Sequence, residues 1–187
     1  MTFNNRVMHD DRRAAIAWAH AVFQFGNFVL LDTETTGREN DAEIVQITIL
    51  GEEGERIFET LVKPTKAISA EAQAVHHITL AMVANAPTFP QVYARIQQAI
   101  DNKRVVIYNS QFDTRILEQC CRRYALPPFR FFDVNCAMLQ YAAFVGERDW
   151  KHGGWKWQRL PGGDHSAGGD CRAMLDVIRQ MAQEWTP

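Results

Sequence analysis

The stretch Phe28–Gly37, FVLLDTETTG, decides how the chain is read. Four apolar residues run into Asp32 and Glu34, which stand two apart. Side chains alternate across a strand, so both acids point to one face. Carboxylates inside an apolar strand are costly unless cations or hydrogen bonds meet them. The pattern reads as a strand that ends in a binding site, in preference to a solvated strand end.

Two later stretches extend it. VVIYNSQFDTRIL, residues 105–117, reads as a strand at Val105–Tyr108 followed by a helix with Asp113 near its start. Ile116, Leu117, Cys120, Cys121 and Tyr124 mark the apolar face of that helix. Open α/β sheets collect their ligands at such strand-to-helix crossings. In GGDHSAGGDCRAML, residues 162–175, Ser166 reads as an N-cap, Asp170 as a first-turn acid and His165 as part of the preceding loop. Singly, Asp113 would be a helix cap, Asp170 a charge favouring the helix dipole and His165 an ordinary loop histidine. Their joint order and spacing favour one shared site.

Phosphodiester cleavage is one chemistry that such a set can serve. Two divalent ions about 3.5–4 Å apart clamp the attacking and leaving oxygens of a displacement. Hard ions such as Mg²⁺ and Mn²⁺ take oxygen ligands, which four carboxylates supply. A histidine beside the attacking water suits a general base, since its unperturbed pKa lies near neutrality.

The three blocks resemble, in order, the motifs of the DnaQ-like 3′→5′ exonucleases, and the His-x4-Asp spacing of the third resembles the DEDDh subgroup. AVHHIT, residues 74–79, is similar to a softer His-Gly-Ile-Thr-like loop of that family, with His77 where glycine is common. The resemblance spans most of residues 28–183. It implies a ribonuclease H-like α/β fold, a mixed five-stranded sheet flanked by helices. It also implies an exonuclease that releases nucleoside 5′-monophosphates from single-stranded DNA or short RNA with a free 3′ end. Asp32, Glu34, Asp113 and Asp170 would hold two Mg²⁺ or Mn²⁺ ions, and His165 would act as the base. Thr35 resembles a position that contacts the terminal nucleotide, with a turn residue as the alternative. Asn109 reads as a phosphate contact or a turn cap, and His76 as a border of the nucleotide pocket or a packed loop residue. A polymerase or a second copy of the chain are the partner candidates. The different-class alternative is a non-catalytic nucleic-acid-binding or polymerase-associated module of the same fold; an endonuclease of that fold is a further one.

The rest of the chain sets bounds. Its 187 residues fit a single exonuclease domain, 1–187, with 1–27 as an N-terminal helical extension and 28–183 as the family-like core. A composition of 47% hydrophobic and 22% charged residues is that of a globular protein. No run approaches a membrane span and no signal-peptide core opens the sequence. Cys120, Cys121, Cys136 and Cys171 lack paired zinc spacing, and they read as reduced, buried thiols of a cytoplasmic protein. A net charge of −2 without a Lys/Arg block argues against a protein that coats nucleic acid electrostatically. Arg122, Arg123, Arg130, Lys151, Lys156 and Arg159 read mainly as solvated surface. No GxSxG, HExxH or P-loop pattern offers a competing chemistry.

Along the chain, Asp11–Phe25 reads as an amphipathic helix outside the sheet. Strands are expected at Phe28–Asp32, Glu43–Leu50, Arg56–Val62, Val105–Tyr108 and Phe131–Val134, the second and third forming a hairpin through GEEGE. Helices are expected at Ala70–His76, Gln91–Ile100, after Asp113, and from Ala167 to Trp185. Gly168 and Gly169 weaken the first turn of the last helix, by about 1 kcal/mol each relative to alanine. Close packing near the acids is one reason to keep them. Asp133 reads as a helix cap or a supporting group. Trp150, Trp155 and Trp157 read as a satellite hydrophobic cluster, with base stacking as the alternative.

Overall fold

The computed structural model describes residues 2–186, with side chains from residue 9 onward. The chain opens with α1 (Thr2–Phe25), β1 (Phe28–Thr35), β2 (Ile44–Gly51) and β3 (Arg56–Leu61). Then come α2 (Ala70–His76), α3 (Leu80–Val83), α4 (Phe89–Ile100), β4 (Arg104–Ile107) and α5 (Ser110–Arg123). It closes with β5 (Asp133–Cys136), α6 (Ala137–Val145) and α7 (Ala167–Gln183). The strands form one sheet in the order β3-β2-β1-β4-β5. β1, β2 and β3 pair antiparallel, whereas β4 and β5 run parallel to β1. The sheet is the mixed five-stranded α/β sheet expected of the ribonuclease H-like fold.

Alternation along β1 feeds two cores. Val29 and Leu31 pack with β2, α4 and α5 residues, including Ile47, Ile96, Ile116 and Leu117. Leu30 packs on the opposite face with Val106, Met174 and Ile178. α1 belongs to that second core, where Ala15, Ala19 and Val22 have no exposure to solvent. It is also tied by polar contacts. Trp18 Nε1 donates to Asn135 Oδ1 at 2.7 Å, and Arg12 Nε donates to the Phe144 carbonyl at 3.1 Å. The N-terminal helix is thus a wall of the domain, covering α6 and α7.

Several boundaries differ from the sequence expectation for local reasons. α4 begins at Phe89, because Thr88 and Gln91 form a reciprocal capping box and Pro90 suits the first turn. The last strand starts at Asp133 and runs to Cys136, two residues later than expected. Asp133 therefore sits in a strand, where its carboxylate accepts from Arg104 Nε at 2.9 Å, and caps no helix. α6 is a helix that the pattern did not show. Cys136, at its N-cap, is only partly buried, unlike the other three thiols. α7 ends at Gln183. His77, in the place where glycine is common, caps α2 in the left-handed region at φ 61°, and its N–H donates to the Gln73 carbonyl. That is the conformation a glycine adopts most easily, so the departure changes the residue and keeps the turn.

The burial of α1 yields a stability prediction. Ala19 is fully enclosed, so Ala19→Leu should destabilise the chain by about 1–3 kcal/mol through overpacking. Urea unfolding of the two chains measures this. Equal midpoints would mean that α1 is not part of the domain core.

Candidate active site

The order of the sheet places the acids. β1 lies between an antiparallel hairpin and a parallel neighbour, so its carboxyl end opens a crevice beside the end of β4. Asp32 and Glu34 are partly exposed and alternate with buried Thr33 and Thr35. They therefore share the face of β1 that is covered by α7. Gln46 and Thr48 of β2 stand directly opposite Glu34 and Asp32. Gln46 Oε1 accepts from the Ala167 N–H at 3.2 Å, which fixes the start of α7 over this face.

Asp170 arrives from α7, as its spacing from Ser166 predicts. Ser166 is the N-cap, and its Oγ accepts from the Gly169 N–H at 3.1 Å. Asp170 Oδ1 accepts from the N–H groups of Asp164 at 2.9 Å and His165 at 3.1 Å. Among the described residues, Asp32, Glu34 and Asp170 each offer a carboxylate oxygen, and these oxygens lie within 4.8 Å of one another. His165 precedes the cap at φ 59°, and its exposed ring stays outside that group.

Asp113 enters from the opposite layer. It lies in the first turn of α5 and is 3% exposed, and its Oδ1 accepts from Thr33 Oγ1 at 2.7 Å. Thr33 thus turns to the α5 side of the sheet while its two acidic neighbours turn to the α7 side. One strand joins acids delivered by both helical layers.

The cluster is electrostatically strained. Burial raises Asp32 well above the ordinary carboxylate range, and the charges of Asp113, Glu34 and Asp170 raise it further. Glu34 is pushed up to about 8 by burial first, then by Asp170 and Asp113. Asp113 is raised to about 7 by burial, against which the Thr33 hydroxyl and backbone bonds pull it down. Burial also raises Asp170, while the N–H groups of His165 and Asp164 counter the shift. Among the described residues, no lysine or arginine ion pair reaches any of the four. An all-oxygen set short of positive charge fits hard divalent cations. Thr48 Oγ1, buried across from Asp32, is a further oxygen with no hydrogen-bond partner among the described residues.

The remaining sequence candidates fall into place differently. The Thr35 hydroxyl donates to the Gly37 carbonyl at 2.7 Å. His76 is buried; its Nε2 lies 3.1 Å from the Thr35 carbonyl and its Nδ1 accepts from the Ile78 N–H at 3.0 Å. That pattern makes Nε2 the protonated nitrogen and locks the β1 end to the loop after α2. Asn109 occupies the N-cap position of α5 without a side-chain capping bond. Sequence reasoning missed Thr33, Gln46 and Asp164. Thr33 was hidden because period 2 assigns it to the core. Asp164 accepts from the N–H and Oγ of Ser166, and its carboxylate packs where a Cβ at Gly169 would lie. Close packing is therefore the reason for Gly169.

Comparison with known proteins agrees with this geometry. The RNase_T family, described as exonuclease, matches residues 29–178. An uncharacterized exonuclease of Escherichia phage 186, CP81, is 38% identical over 171 residues, covering 83% of this chain and 88% of that protein. The DNA polymerase III subunit epsilon of Treponema pallidum is 31% identical over 133 residues, 69% of this chain and 62% of its own length. Among solved structures, Exonuclease X in complex with 5′ overhanging duplex DNA has 28% identity and a TM-score of 0.56, covering 85% of this chain and 94% of that one. E. coli Exonuclease I in complex with a dA16 oligonucleotide has the same fold at 16% identity, with a TM-score of 0.68 over 83% of this chain and 41% of its own. With its three acidic blocks, its mixed sheet and a family match over residues 29–178, the chain belongs to the RNase_T exonucleases, the DnaQ-like DEDDh group that its motifs resemble.

Proposed function

We propose that the chain is a metal-dependent 3′→5′ exonuclease that hydrolyses single-stranded DNA to nucleoside 5′-monophosphates. The observation that carries this reading is the group of Asp32, Glu34 and Asp170 oxygens within 4.8 Å of one another at one end of the sheet, with buried Asp113 near enough for its charge to raise Asp32. DNA is favoured over short RNA because Exonuclease X, at 28% identity, was solved with 5′ overhanging duplex DNA. The 3′→5′ polarity comes from the resemblance of all three blocks.

Asp32, Glu34, Asp113 and Asp170 would hold two Mg²⁺ or Mn²⁺ ions. When bound, such ions supply a Lewis acid for the phosphate and lower the pKa of water. The protein contributes the rest. Thr33 restrains one oxygen of Asp113, and the N–H groups of Asp164 and His165 restrain one oxygen of Asp170. His165 takes the proton of the attacking water. Its own N–H is bonded to Asp170, so the loop that carries the base is registered to the acid. Asn109, with no capping bond, is a phosphate contact. Thr35 and His76 spend their side chains inside the protein and shape the floor of the nucleotide pocket.

The raised carboxylates set a pH dependence. For the chelated chain, the folded pKa values of Glu34 and Asp113, about 8 and about 7, exceed the ordinary 4.5 and 3.8. The folded state therefore holds protons that the unfolded state releases. Stability should be full below about pH 4 and should fall as pH rises through about 8. Asp32→Asn removes one of the mutually repelling charges, so its decline should be shallower. Saturating Mg²⁺ should flatten the wild-type profile. Denaturant titrations across pH test this, and parallel profiles for the two chains in chelator would contradict it.

Activity provides the direct test. A 5′-labelled single strand should shorten progressively in Mg²⁺ or Mn²⁺, a 3′-blocked strand should resist, and chelation should stop all hydrolysis. Asp32→Asn should lose most turnover. Efficient cleavage of circular single-stranded DNA would point to an endonuclease instead.

His165→Ala should slow the chemical step by roughly 10²–10⁴-fold, the range for a positioned acid–base group. Single-turnover rates at saturating metal, alongside a metal-binding titration, separate the roles. A near-normal rate would remove His165 from the reaction. Loss of metal affinity matching the loss of rate would make it a support for the site.

A further inference from the structure

We infer that the segment between α6 and α7, residues 147–159, is a single-strand binding arm that stacks bases on Trp150 and Trp157. The sequence here, ERDWKHGGWKWQR, interleaves aromatic and basic residues. The structure separates its three tryptophans. Trp155 is a packing residue: its ring lies under the Arg148 guanidinium at 4.3 Å, and its Nε1 donates to Asp11 Oδ2. Trp150 and Trp157 are 85% and 62% exposed. They do not form the hydrophobic cluster that the sequence suggested.

The arm is built, which makes that exposure meaningful. Arg148 and Trp155 form an antiparallel bridge, and the Lys156 N–H donates to the Glu147 carbonyl at 2.8 Å. Asp149 accepts from the N–H groups of Lys151 and His152 and closes the turn. Gly153 and Gly154, at φ 79° and 76°, reverse the chain where a side chain would be strained. Two large rings held in water on an ordered turn are a surface ready to stack, and every base has a face for them. The charge is complementary to a phosphate backbone. Among the described residues, Lys151 and Arg159 are exposed without an ion pair, while Lys156 is matched by Glu147.

Position links the arm to the acids. Tyr108 Oη donates to the Gln158 carbonyl at 2.8 Å, beside Trp157. Because β1 and β4 run parallel with Leu30 level with Val106, Tyr108 follows β4 at the level of Asp32. Past Gln158, Leu160 packs by Gly163, which in turn lies against Asp170. A strand whose 3′ end reaches the carboxylates can continue onto this arm. The proposal rests on the nucleic-acid reading of the site, and it adds where the upstream nucleotides lie.

The test reads binding in chelator, so that it is independent of hydrolysis. Fluorescence anisotropy of the full chain with a 5′-fluorescein twenty-nucleotide thymidine strand gives the dissociation constant. Each of Trp150→Ala and Trp157→Ala should weaken it, by roughly 5- to 150-fold where a base stack is removed. Trp157→Phe should retain most of the affinity, since the ring face survives. Lys151→Ala with Arg159→Ala should reduce the slope of log affinity against log salt by about 0.7 for each phosphate that is no longer neutralised. The fold does not depend on these side chains, so matching thermal midpoints should accompany the weaker binding. In active enzyme, the double tryptophan variant should raise KM for the twenty-nucleotide strand far more than it lowers kcat. Strand affinity unchanged in the double tryptophan variant would overturn the proposal and leave the rings to a protein partner. An inactive wild-type chain that still binds through the tryptophans would sustain the arm and defeat the exonuclease reading.

Discussion

Four carboxylates forced together at one end of a sheet are the constraint to which the site's architecture answers. Burial and mutual repulsion both oppose their ionisation, and among the described residues no lysine or arginine pairs with them to offset either. Such a cluster is unfavourable to folding on its own account. It is kept in shape by apolar packing elsewhere: two cores on opposite faces of β1 hold the helices whose first turns carry Asp113 and Asp170. The sheet is the rigid element, and the acids lie where its strand directions change.

The supporting bonds are unequal, and the difference matters. Asp170 receives two backbone N–H groups, which favour its charged form, whereas Asp113 is deeply buried and held chiefly by one hydroxyl. Backbone donors are fixed by the loop that precedes α7. That loop is in turn fixed by Asp164, Ser166 and the absence of a side chain at Gly169. The pair of glycines that weakens the helix as an isolated segment thus allows the turn to close beside the acids. Local propensity has been sacrificed for position at this one place.

Much of this was legible in the sequence because it depends on short-range periodicity. Asp32 and Glu34 share a face by the period of a strand, and Ser166 to Asp170 is the spacing of a cap and a first turn. The hairpin of β2 and β3 was marked by GEEGE. What stayed hidden depends on contacts across the chain. Thr33 meets Asp113 across 80 positions and Gln46 meets Ala167 across 121, and no local pattern encodes either meeting. α6 was missed because AMLQYAAFV is apolar on nearly all sides, so it lacks the one-sided pattern that marks a helix. Asp133 looked like a cap because its strand is only four residues long and pairs on one side alone, with β4.

The same distinction explains why the tryptophans could not be sorted from sequence. Trp155 and Trp157 are two apart on a segment with no regular period, and hydrophobicity treats them alike. Their fates differ because Trp155 finds Arg148 within the turn and Asp11 on α1, 144 positions away. α1 therefore does more than close the second core. By accepting the Trp155 N–H it anchors the turn of the arm, while Tyr108 anchors its exit at the level of the acids. A helix outside the family-matched region and a residue in the linker between β4 and α5 together fix the long excursion between α6 and α7. The excursion is ordered at both ends while its two exposed rings are left in solvent. Anchored backbone and free rings are the combination that the proposed stacking of bases requires.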